Sequence, residues 1–150
     1  MKTCQLKIWN KSKNSLPSFQ SKGASGVDLF ANLDEVMVLN PHQVYLVPTG
    51  IHIELPLGYE AQIRARSGLS FKHGIILVNG IGTIDSDYRG EIKVILMNLL
   101  DVPYEIQPGE RIAQMVVTQY IIPEFKEVQS LEELSDTDRG AGGFGHSGKH

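Results

Sequence analysis

Cysteine is almost absent from this chain. Cys4 stands alone among 150 residues, which excludes an intramolecular disulfide framework and a zinc cluster built on cysteine. That usage fits a reducing compartment. Long apolar runs are absent too. No stretch approaches a membrane span, and residues 1–8 lack the apolar core of a signal peptide. The expectation is a cytoplasmic chain that starts at its mature end and has no membrane partner. Basic charge is also scarce: 14 Lys and Arg stand against 17 Asp and Glu, for a net charge of −3. A basic face able to grip duplex nucleic acid is thereby excluded, and a nucleotide ligand must be met locally.

What is present is enough for one domain: 41% of residues are hydrophobic, sufficient for a core at this length. The dominant pattern is short strands. Gln5–Trp9 alternates loosely, Val36–Leu39 and Val44–Val47 read as two runs, and Ile51–Leu55 alternates cleanly, with Pro41, Pro48 and Pro56 as punctuation. Tyr59–Arg66 alternates again, placing Tyr59, Ala61, Ile63 and Ala65 on one face and leaving Arg66 at the strand's end. Only one convincing helix follows, with Ser67 as N-cap and Gly74 as a left-handed stop. Residues 111–117 form another strand. From Pro123 the hydrophobic pattern fades, so 1–123 is read as the folded domain, 124–138 as a tether and 139–150 as a glycine-rich arm.

Chemistry concentrates in five places. The stretch Gly82–Glu91 packs three acids and Tyr88 between two apolar runs, Ile75–Val78 and Ile92–Met97, and reads as a rigid hairpin tip. A carboxylate held there can orient a water, and the ring can pack on a flat ligand or a sugar; an ordinary polar turn is the simpler alternative. Asp28, flanked by core-facing Val27 and Leu29, is either a turn-capping acid or a ligand to a hard cation such as magnesium. Arg66, Ser67 and the first helical amides at Gly68 form a small anion site. Gln114 is an amide among apolar neighbours that can lend hydrogen bonds to a ligand. In the arm, residues 140–145 match G-x-G-x-x-G, but no strand precedes and no helix follows, and 143–149 match G-x-x-x-x-G-K, but His150 stands where the phosphate loop needs Ser or Thr. The arm instead reads as a segment that closes over a ligand, with Arg139 for phosphates and Phe144 for stacking on a base.

Taken together, five short segments resemble the motifs of the trimeric dUTPase family, in that family's order: Ala24–Leu29, Arg66–Leu69, Gly82–Glu91, Arg111–Gln114 and Arg139–Gly148. The resemblance covers nearly the whole chain. It implies an all-β distorted jelly-roll or β-clip subunit, a homotrimer, and active sites at subunit interfaces covered by a neighbour's C-terminal arm. The implied reaction is hydrolysis of dUTP to dUMP and pyrophosphate, which keeps uracil out of DNA and supplies dUMP for thymidylate synthesis. Asp85 would activate the water. Tyr88 would pack beneath the deoxyribose and leave no room for a 2′-hydroxyl. Asn79 and the backbone through Thr83, Ile84 and Asp85 would read uracil, with Lys93 beside them. Arg66, Ser67, Gly68 and Gln114 would hold the phosphates, and Asp28 would meet triphosphate-bound Mg2+ through water. Phe144 would stack on uracil, with Arg139 and Ser147 on the γ-phosphate.

Departures from the family pattern are small. Ala65 stands where proline is frequent, Ser70 where alanine is common, and His146 and Ser147 replace a pair of small hydroxyl residues. Two other readings are a dCTP deaminase-like enzyme of the same superfamily, and a non-catalytic jelly-roll module that only senses dUTP.

Overall fold

Branched residues at alternate positions generate ten strands. In chain order these are β1 Lys7–Asn10, β2 Val27–Phe30, β3 Met37–Leu39, β4 Val44–Glu54, β5 Tyr59–Arg64, β6 Ile75–Leu77, β7 Ile81–Ile84, β8 Ile92–Asn98, β9 Tyr104–Ile106 and β10 Arg111–Gln119, with one α-helix, α1, at Ser67–His73. The structure is a computed structural model and describes residues 3–143. Two four-stranded antiparallel sheets, ordered β1-β4-β8-β6 and β2-β10-β5-β7, are accompanied by a two-stranded β3-β9 ribbon. Their inward residues merge into one apolar cluster, with Val47, Ile92, Val94 and Leu96 from the first sheet and Leu29, Ala61, Ile63, Ile112 and Met115 from the second. This is the all-β jelly-roll or β-clip arrangement anticipated above. Among the described residues, no helix is long and apolar enough to cross a membrane.

Several elements differ from the sequence reading. The runs Val44–Val47 and Ile51–Leu55 belong to a single strand, β4, which passes through Pro48 because a bulge lies between Pro48 and Ile51. The missing proline N–H falls where the ladder is already interrupted. Ser67 is not the N-cap. Arg66 occupies that position with extended backbone, Ser67 is the first helical residue, and no side chain caps the helix. Gly74 does end the helix in the left-handed region at φ 64°, and a Cβ there would meet Leu100 at 2.7 Å.

The largest difference concerns the central stretch. β6 and β8 pair as a hairpin, with Leu77 opposite Leu96, but the segment between them is more than a tip. Its first part is β7, which leaves that sheet and pairs with β5 in the other one, Gly82 opposite Ile63. The turn proper is confined to the residues after Ile84. The stretch is therefore anchored in both sheets, which holds it more firmly than a free hairpin tip.

Candidate active site

The crossover of β7 from one sheet to the other opens a cleft between them. The cavity there is about 330 Å3 and is lined by Asn79, Gly82, Thr83, Ile84, Asp85, Tyr88 and Lys93, with Leu46, Ile63, Leu77, Val94 and Ile95 as apolar walls. That volume lies at the lower end of the range for small-molecule pockets. Gly80 adopts φ 67° and turns the chain so that Ile81 N–H donates to Asn79 O at 2.7 Å, delivering β7 to the cavity wall. Gly82 lets Asn79 come close: a Cβ at that position would lie 3.2 Å from Asn79 Nδ2 and 3.3 Å from Ile63 Cβ.

After β7 the turn is tied at several points. Tyr88 N–H donates to Asp85 O at 3.1 Å, and Arg89 Nη1 donates to Ser86 O at 2.7 Å and to Tyr88 O at 3.0 Å. His52 Nδ1 donates to Arg89 O at 3.0 Å, which fastens the turn to β4. Tyr88 folds its ring back over Gly90 and donates its hydroxyl to Glu91 O at 3.0 Å. Asp85 is exposed and also borders an open hollow shared with Glu60, Ser86, Asp87 and Tyr120, so its carboxylate has free access to water.

A second group gathers where β2, β5 and β10 meet. Asp28 sits opposite Gln114, and Gln114 sits opposite Arg64. The Asp28 carboxylate, 16% exposed, is gripped by Arg66 Nε at 3.0 Å and Arg111 Nη1 at 3.3 Å. Arg66 Nη1 also donates to Arg111 O at 2.9 Å, and Gln114 Nε2 donates to Ala65 O at 3.0 Å. Two guanidiniums over one carboxylate leave an excess of positive charge on a preformed surface, which suits an anion. Ser67 and Gly68 lie exposed beside it in the first turn of α1. Tyr104 stands close enough to Arg66 to feel its charge. Burial, then its hydrogen bond to Glu110, pushes its phenol well above the usual range, so Tyr104 stays protonated.

Predicted residues thus fall into three sets. Asn79, Thr83, Ile84, Asp85, Tyr88 and Lys93 converge on one cavity. Asp28, Arg66 and Gln114 form the cationic group, with Ser67 and Gly68 adjoining, and none of these five lines that cavity. Arg139 joins neither; its Nε donates to Gly142 O at 2.7 Å. Phe144, His146 and Ser147 lie outside the described residues. Sequence reading missed Arg111 as Asp28's second partner. A register shift between Arg111 and Ala113 buries both Ile112 and Ala113 and breaks the alternation from which Arg111's direction would be read.

Magnesium was the expected cation. Among the described residues, no group of three or more His, Cys, Asp or Glu side chains is placed to hold a metal. Asp28 already spends one lone pair of each oxygen on arginine, so it cannot cage an ion by itself. A remaining lone pair fits a hydrated ion that arrives coordinated by phosphate oxygens.

A jelly-roll sandwich with a mixed polar and apolar cleft and a separate two-arginine cluster is a β-protein with a cleft sized for a small molecule and a surface suited to an anion. The dUTPase family profile matches residues 12–148. The chain is 56% identical over 147 residues to the deoxyuridine 5′-triphosphate nucleotidohydrolase of Cytophaga hutchinsonii, covering 98% of this chain and 94% of that protein. It is 54% identical over 144 residues to the protein of the same name from Finegoldia magna, covering 96% and 99%. Among solved structures, the Staphylococcus bacteriophage 80alpha dUTPase with dUPNHPP aligns at TM-score 0.83 and 30% identity, over 97% of this chain and 99% of that one. The chain belongs to the dUTPase family.

Proposed function

We propose that the chain hydrolyses dUTP to dUMP and pyrophosphate. The observation that carries this reading is the single cavity where Asn79, Thr83, Ile84, Asp85, Tyr88 and Lys93 converge. Asn79 and the β7 backbone read the uracil edge, because a pocket of fixed donors and acceptors rejects cytosine by leaving its own groups unpaired. Tyr88 packs beneath the deoxyribose. Asp85 orients and deprotonates a water whose oxygen attacks the α-phosphorus; the bond from that phosphorus to the bridging oxygen breaks, and pyrophosphate leaves. Arg66, Ser67, Gly68 and Gln114 hold the phosphates, and Arg139, Phe144 and Ser147 close over the γ-phosphate and the base.

Asp28 would hold, through water, a magnesium ion carried by the triphosphate, and that ion would supply charge neutralisation at the phosphates. The working form is a homotrimer in the cytoplasm, with residues 1–123 as the domain, 124–138 as tether and 139–150 as the covering arm. Supporting the assembly, the cationic group of Arg66, Ser67, Gly68 and Gln114 does not line the cavity of its own chain, and Ile121 and Phe125 stand 90% and 93% exposed. In the cell the reaction keeps uracil out of DNA and provides dUMP for thymidylate synthesis.

The deciding experiment measures pyrophosphate release from dUTP, dTTP, dCTP and UTP, with and without magnesium. Pyrophosphate release from dUTP alone, lost on chelation, is the expected result; in a parallel incubation with dCTP, the appearance of dUTP by nucleotide chromatography points instead to the deaminase-like enzyme. Asp85→Asn lowers kcat by about 10²–10⁴-fold while dUTP still binds. Unchanged turnover removes Asp85 from its role.

A further inference from the structure

Tyr88 is only as well placed as the group that receives its hydroxyl. That group is the backbone carbonyl of Glu91, at 3.0 Å, the last residue before β8 begins. A carbonyl at a strand end drifts unless something holds it, and here the same residue's side chain does the holding. Glu91 Oε1 accepts the Gly50 N–H at 2.8 Å, and Oε2 pairs with Lys11 Nζ at 3.3 Å. The Glu91 side chain is only 13% exposed, so both contacts are partly shielded from solvent.

Its anchor is itself rigid. Gly50 sits in the β4 bulge at φ 70°, with Ser12 and Asn32 packed so closely that a Cβ would lie 2.7 Å from Ser12 Cβ. Lys11 N–H donates to Gly50 O at 2.9 Å, so the lysine that meets the carboxylate is tied to the same bulge. One residue before Gly50, Thr49, 1% exposed, donates its hydroxyl to Ile92 O at 2.6 Å. The bulge thus clamps Glu91 and Ile92 from two sides.

We propose that Glu91 is a positioning residue for discrimination against the ribose 2′-hydroxyl. Its carboxylate locks its own carbonyl against the Gly50 amide, and that carbonyl locks the Tyr88 ring. The proposal rests on the reading that Tyr88 packs beneath the sugar. Reach rather than charge is the requirement: glutamine keeps an oxygen at the same distance for the Gly50 N–H, whereas aspartate, one methylene shorter, withdraws it.

The test is the ratio of kcat/KM for dUTP to that for UTP, measured on folded, full-length protein. Glu91→Ala and Glu91→Asp lower the ratio by about tenfold, and Glu91→Gln holds it within about twofold of the parent. A merely structural role leaves the ratio unchanged, because both substrates are assayed on the same folded population. Should Glu91→Ala not fold, Glu91→Asp carries the measurement. Tyr88→Ala is run beside them. A ratio that collapses in Tyr88→Ala and stays intact in Glu91→Asp overturns the proposal alone. A ratio intact in Tyr88→Ala overturns the sugar contact itself, and the proposal with it.

Discussion

At the scale of single residues, the cleft depends on which side chains are missing as much as on which are present. Gly90 is the clearest case, because it needs no unusual backbone angle and yet has no room for a side chain. A Cβ there would lie 2.2 Å from Tyr88 Oη and 2.4 Å from Cζ, so the Tyr88 ring occupies that volume. Gly90→Ala therefore moves the ring toward the cavity or off the Glu91 carbonyl. If the ring packs beneath the sugar as proposed, its displacement by about 1 Å lowers kcat/KM for dUTP by about 10–100-fold. The turn is at the surface, so the melting temperature stays within about 5 °C of the parent. Steady-state kinetics with a thermal melt checks both, and an unchanged kcat/KM shows that the ring's position is immaterial. The role of the glycine was not legible in the sequence, which names Tyr88 and Gly90 but not that one fills the other's space.

Elements were legible to the extent that they follow alternation. β5 is the best example: Ala61 and Ile63 are buried as its pattern requires, and Arg66 stands past its end beside Asp28. β4 and β7 were misread for opposite reasons. A proline within an apolar stretch signals a break, but the bulge at Pro48 absorbs it; a glycine-rich stretch signals a turn, but Ile81–Ile84 finds an edge of β5 to pair with. Neither outcome can be computed from the local residues, since each depends on a partner strand distant in sequence.

The Glu91 clamp belongs to this scale because it joins β4 to β8, and it carries a pH signature. Burial alone would raise the Glu91 carboxyl, but the Gly50 amide and Lys11 outweigh that and hold it below the ordinary value of 4.5. A carboxyl lowered on folding stabilises the fold above its unfolded pKa, and the contribution is lost as pH falls through the folded value. The stability gap between parent and Glu91→Gln, from urea unfolding, is therefore constant from neutral pH down to about 5 and narrows below 4.5. A gap that stays constant to pH 3 shows that the charge contributes nothing.

On the scale of the whole molecule, one chain holds its proposed site residues in separate places. The cavity carries Asp85 and Tyr88, the cationic group carries Arg66 and Gln114, and Arg139 lies beyond a largely exposed stretch, residues 124–138, that contains a short 3-10 turn, Leu131–Glu133. If the arm of one subunit covers the cavity of another, two defective chains can restore each other. A chain carrying Asp85→Asn keeps a sound arm, and a chain ending at Asp138 keeps a sound cavity. Each alone is expected to be inactive. When the two are unfolded together and refolded at equal ratio, a random homotrimer places an intact cavity under an intact arm at about a quarter of its sites. Sedimentation confirms the size of the mixed assembly, and dUTP hydrolysis reads the restored sites. Activity near one quarter of the parent supports shared sites. No recovery in a correctly sized assembly means that each cavity is closed by its own chain, because an arm acting in cis leaves every mixed site with either a defective cavity or no arm.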